Sequence, residues 1–219
     1  MTKTGEAASP PLEEKAESFV EWFRTNSRQV GIGTILVVAV ALGTWLWRGA
    51  NQKKEANAGR SVSEAERAFS SGNMALAQSD LQKALQRYGG TKAALQARLL
   101  LAQTYYTQKK PAEGLKVLDE VSDPGLFVTS FHAIRAAGLE ESGKNAEAAA
   151  EYLKAAETAL ADVEKARYKA EAARTFQAAQ KLEEARKIWT ELAADDAGPL
   201  AGEARIRLGE LTAKAATKG

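Results

Sequence analysis

The sequence predicts an all-α chain: one N-terminal transmembrane helix, then an α-solenoid of about four helical hairpins closed by a C-terminal capping helix. Three observations carry this. A long run near the N-terminus holds no charge, helix-breaking signals recur at a repeat-like spacing downstream, and columns of small residues keep step with them. Abundant alanine, only five prolines and 7% aromatic residues favour helix over sheet.

The uncharged run extends from Gln29 to Trp47, bracketed by Arg28 and Arg48. Nineteen helical residues cover roughly 28 Å, close to the thickness of a bilayer's hydrocarbon core. Nine of them are Val, Ile or Leu, which together supply roughly −3 to −5 kcal/mol of insertion free energy. Trp22 lies before the run, and Trp45 and Trp47 close it. Amphipathic rings prefer the headgroup zone, so these tryptophans read as interface markers. Phe19, Val20, Trp22 and Phe23 stand among charged residues and read as a short interfacial helix. Ala39-Val40-Ala41 would suit a cleavable signal, but the apolar run continues past it to Trp47 and the long polar flank before it fits an anchor better. The expected organisation is a tail over 1–28, a transmembrane helix over 29–48 and a repeat domain over 49–219. Three Lys or Arg residues on the N-terminal side of the run against five on the C-terminal side would place the C-terminal side in the cytoplasm. A large trailing domain makes that count a poor witness.

Downstream, breaking signals recur at Ser70-Ser71-Gly72-Asn73, Lys109-Lys110-Pro111, Gly143-Lys144-Asn145 and Gln180-Lys181. Aligning on them puts Ala65, Ala102, Ala136 and Ala173 in one column, at spacings of 37, 34 and 37. Ala77, Gly114, Ala148 and Ala185 form the next column, followed by Leu81, Leu118, Tyr152 and Trp189. Antiparallel helices approach closely only where small side chains meet, and a large neighbour one turn on fills the space beside the crossing. No such unit buries its apolar stripe alone, so units stack into a shared core. Pro199 to Ala216, with Glu203, Arg205, Arg207 and Glu210 outward, reads as a polar capping helix begun by its proline.

Little in the sequence points to chemistry. There is no cysteine and one histidine, His132, which reads as a helix–helix contact between Phe131 and Ile134. The pairs Glu140-Glu141 and Glu183-Glu184 are neighbours that point apart on a helix and read as solvated charge. A net charge of +2 gives no basis for nucleic-acid binding. The chain therefore reads as non-enzymatic, with no cofactor, no metal and no small-molecule substrate.

The repeat lengths and the small–aromatic–small–large columns resemble tetratricopeptide repeats. Leu101-Ala102 and Tyr105 match that family's first-helix Leu-Gly and Tyr positions, and Phe176 matches the aromatic again. Carrying over the family's groove positions points to Leu99, Gln103 and Tyr106 in the second unit. The third unit contributes Ser130, Ala133, Ala137, Glu140 and Glu141, and the fourth Arg167, Arg174 and Gln177. Leu99 and Gln103 stand where some members carry a carboxylate clamp, so the resemblance implies that this clamp is absent.

The stretch ESFVEWFRTNSRQVGIGTILVVAVALGTWLWRGANQ and the Ala- and Ser-rich segment after it are similar to the YfgM-type ancillary subunits of the bacterial SecYEG translocon. This resemblance implies a single-pass inner-membrane protein with a cytoplasmic N-terminus and its repeat domain in the periplasm. It also implies binding to the SecYEG translocon and to a membrane-anchored periplasmic chaperone of the peptidyl-prolyl isomerase type. A tethered scaffold for another envelope or respiratory-complex assembly process shares every feature except the partner.

Overall fold

A computed structural model describes Trp22 and residues 24–216. The described residues contain no strand; they form nine α-helices and one 3₁₀ turn. The helices are α1 (Ser27–Ser70), α2 (Met74–Tyr88), α3 (Lys92–Thr107), α4 (Pro111–Asp119), α5 (Val128–Glu141), α6 (Asn145–Thr158), α7 (Asp162–Ala178), α8 (Leu182–Ala194) and α9 (Ala201–Ala216). The chain divides into two compact units, 1–53 and 54–219.

The first unit holds the uncharged part of α1. Ile32, Ile35, Leu36, Val37, Val38, Val40, Leu42 and Leu46 are all exposed, as are Trp22, Arg28, Trp47 and Arg48, with Trp45 71% exposed. This helix is long and apolar enough to cross a membrane, and none of its most apolar window is buried. The expected interfacial helix rests on Phe19, Val20 and Phe23, which lie outside the described residues.

The second unit takes up the rest of α1, where the apolar side chains become periodic. Ala58, Val62, Ala65 and Ala68 are buried, and the first three share a core with Leu81 of α2 and with Ala93, Ala97 and Leu101 of α3. Three hairpins follow, α3–α4, α5–α6 and α7–α8, and α9 packs on α8. All four alanines of the first column are fully buried, and so are Leu81, Leu118 and Trp189 of the large-residue column. Capping α9 begins at Ala201 rather than at Pro199, which sits in the turn before it. Its Glu203 is not simply outward, because Arg174 of α7 donates to both its carboxylate oxygens at 2.9 Å.

The four breaking signals share one geometry. Gly72, Lys109, Gly143 and Gln180 all adopt left-handed backbone, with φ of +80°, +61°, +74° and +62°. In each case the next residue's N–H donates back to the carbonyl five positions earlier, as in Asn73 to Ala68 and Lys144 to Leu139, both 2.9 Å. That pattern closes a helix and satisfies its orphan carbonyls. Glycine adopts this backbone freely; a lysine or glutamine there is strained by roughly 1 kcal/mol or more.

His132 makes the interhelix contact expected of it. Its Nδ1 lies 2.7 Å from Oε2 of Glu151 on α6, and Lys154 Nζ donates to the other carboxylate oxygen at 2.7 Å. Burial acts to raise the Glu151 pKa, but hydrogen bonds from Lys154 and His132 outweigh it and hold the carboxyl below the ordinary glutamate range.

Candidate functional site: the face of the first helices

The first helices α3, α5 and α7 line a hollow of about 340 Å³, with one side chain from α6. Helical spacing builds it: Ala133, Ile134 and Ala137 fall within about one turn on α5, and Arg167, Tyr168 and Glu171 do so on α7. Gln103 and Tyr106 of α3 and Tyr152 of α6 complete the lining. Small alanines make the floor open, and the polar groups stand around it.

The sequence-derived candidates separate into three groups. Gln103, Ala133, Ala137 and Arg167 come together in this hollow. Arg167 is exposed, and its guanidinium lies over the Tyr168 ring at 4.6 Å from the centroid. These are the side chains available to a partner.

Leu99 is corrected from a groove contact to core, and Tyr106 is mostly core, lending the hollow only its small exposed part. Leu99 is 5% exposed and packs with Ala102, Tyr106 and Leu118. Tyr106 is 7% exposed, with its ring wedged between Gly114 of α4 and Gly138 of α5; a Cβ at either glycine would fall on the ring. Volume explains the difference: two glycines facing one position leave a slot that the aromatic ring fills. The Tyr106 hydroxyl is buried with no partner among the described residues, and burial pushes its pKa well above the ordinary tyrosine value.

The remaining charged candidates are engaged within the protein. Arg174 binds Glu203 of α9 and, at 2.8 Å, Glu171 on its own helix, while lying 5.9 Å from the Trp189 ring centroid. Burial acts to lower its pKa, but the hydrogen bonds it donates to those two carboxylates outweigh it and raise it. Arg174 is thus a clip that fastens the capping helix, not a free groove cation. Glu141 pairs with Lys109 across 3.3 Å, and Glu140 accepts a 3.3 Å hydrogen bond from the Tyr152 hydroxyl. Gln177 is half-buried near the end of α7. Ile134, Tyr168 and Glu171 were missed by the sequence reading; the signal available was that Ile134 and Glu171 stand one turn from Ala137 and Arg167, with Tyr168 next to Arg167. Among the described residues, no group of three or more His, Asp or Glu side chains could hold a metal ion.

Stacked hairpins that present an open, mixed face are the mark of a helical-repeat interaction module. Residues 20–159 match the tetratricopeptide repeat-like domain family, well over half of the sequence, and the chain belongs to that family. The match begins ahead of the uncharged run and ends after the α5–α6 hairpin, so α7, α8 and α9 continue beyond it. No curated protein matches the sequence.

Proposed function

We propose that this chain is a non-enzymatic, single-pass membrane scaffold that acts beside the protein-translocation channel of the bacterial inner membrane. In this reading residues 29–47 remain in the bilayer and the repeat domain stands in the periplasm. Its partners are the SecYEG channel and a membrane-anchored chaperone of the peptidyl-prolyl isomerase type. The observation that carries the reading is the fully exposed, uncharged helical stretch preceding a repeat module of an interaction family. Two proteins held in one membrane meet at high effective concentration, so a modest, partly polar face such as Gln103, Ala137 and Arg167 suffices.

Crosslinking and pull-down from native membranes tests this. Channel subunits and the chaperone should be recovered. Recovery of envelope or respiratory assembly factors in their place would move the scaffold to another process. Arg167→Glu should weaken capture, most at low salt, where an exposed charge is least screened. Undiminished capture by Arg167→Glu combined with Gln103→Ala would exclude the hollow as the docking face. Digestion of the repeat domain by protease added to inverted, cytoplasm-out vesicles would overturn the topology.

A further inference from the structure

Few large apolar side chains of the repeat unit are left exposed, and two are almost completely so: Leu126 at 94% and Leu160 at 95%. Leu126 lies in the connection between α4 and α5, and Leu160 in the connection between α6 and α7. They are 34 residues apart, the spacing that separates the second and third units, so they hold one position in successive connections. Val163, 61% exposed, follows in the first turn of α7. Helices that alternate in direction bring all unit-to-unit connections to the same edge.

The chain comes into the repeat unit at this edge. Leu126 shares a cleft of about 520 Å³ with Lys92, at the start of α3. The N–H groups of Lys92 and Ala93 donate to the Glu55 carboxylate at 3.0 and 2.8 Å. Glu55 stands only seven residues after Arg48, which closes the uncharged run. Seven residues reach roughly 25 Å when fully extended and far less as helix.

Some of the charges near the edge are compensated. Arg135 binds Asp119 at 2.6 Å, Arg98 faces Glu120, and Lys165 binds Asp162 at 2.9 Å. Asp123 accepts from the Gly125 N–H at 2.8 Å and adds no cation. Lys54, Arg87 and Lys92 are exposed here as well, so the edge offers cations beside its aliphatic side chains. We infer that Leu126 and Leu160 dip into the surface of a phospholipid bilayer and lay the connection edge of the repeat unit on it. Two leucines alone would hold a bilayer weakly, but the tether keeps them at high local concentration. The inference rests on the anchoring proposed above.

The absence of cysteine allows a direct test on the full chain. Single replacements Leu126→Cys, Leu160→Cys, Lys144→Cys and Val37→Cys each carry an environment-sensitive fluorophore in phosphatidylcholine nanodiscs doped with a spin-labelled quencher lipid. Lys144 lies at the turn within the α5–α6 hairpin, on the opposite edge, and Val37 lies in the uncharged run. The expected result is blue-shifted emission and lipid quenching at 126, 160 and 37, with none at 144. Quenching at 37 while 126 and 160 behave like 144 overturns the inference alone. No quenching at 37 overturns the anchoring and the inference with it. A blue shift at 126 and 160 without lipid quenching assigns the leucines to a protein contact, and also overturns it.

Discussion

Between Ile32 and Leu46, helix α1 carries aliphatic side chains all around its circumference and leaves them exposed. Between Ala58 and Ala68 it carries them at Ala58, Val62, Ala65 and Ala68, three or four residues apart, and buries each one. The backbone is the same; the pattern differs. A stripe of period 3.6 has one face to hide and finds it in neighbouring helices. Side chains that are apolar on every side need cover all round, which a lipid phase supplies at once. Under the anchoring proposed above, density without period separates the anchor from the packed part of the helix.

The comparison can be broken first in the packed region. Trp189 is completely buried in the core that joins α7, α8 and α9. Trp189→Ala should destabilise the repeat unit by about 3–5 kcal/mol, read by urea unfolding of the full chain in lipid nanodiscs. A loss below about 1 kcal/mol would mean that the capping helix is not part of that core.

The next effect separates the two stretches directly. Val37→Arg should cost about 3 kcal/mol of membrane insertion while leaving the unfolding of the repeat unit unchanged. Val62→Ala should do the reverse, lowering repeat-unit stability by about 1–2 kcal/mol with no change in insertion. A fractionation assay paired with thermal unfolding reads both. Any crossover between them would defeat the division of labour along α1.

A smaller change should stabilise. Lys109 and Gln180 close their helices in left-handed backbone where the equivalent Gly72 and Gly143 are glycine. Lys109→Gly should gain about 1 kcal/mol, less the entropy glycine returns to the unfolded chain, and it also gives up the exposed pair with Glu141. Gln180→Gly, which gives up no ion pair, should gain at least as much. Thermal unfolding of the two variants checks both the sign and the order.

The smallest effect is a pH dependence. The Glu151 carboxyl is held below its ordinary value, so its contribution is present above about pH 4.5 and is lost as the pH falls through the lowered value. Glu151→Gln should flatten that part of the acid limb relative to the unmutated protein, in thermal melts between neutral and acid pH. Parallel acid limbs would show that the contact with His132 and Lys154 does not favour the ionised form.

Most of the architecture was legible because packing constraints leave marks in residue size. Ala65, Ala102, Ala136 and Ala173 are buried where their columns placed them, and the four breaking signals all became left-handed helix closures. The candidate face was less legible. A family register says which way a position points but not what volume waits there, so Tyr106 was read as outward until Gly114 and Gly138 showed the slot that holds it. Arg174 failed for another reason: a long side chain chooses its partner in three dimensions, and Glu203 lies 29 residues away. Gln103, Ala133, Ala137 and Arg167 were found because short or rim-standing side chains stay where helical spacing puts them.

Amide hydrogen exchange on the full chain in lipid nanodiscs, followed through increasing urea, tests the division of α1 most directly. The account predicts that amides of 58–69 lose protection together with those of Leu101 and Ala102, as one cooperative unit. Amides of 32–46 should remain protected through that transition, shielded by lipid rather than by fold. Simultaneous loss of protection along the whole of α1, or rapid exchange of 32–46 from the start, would contradict it.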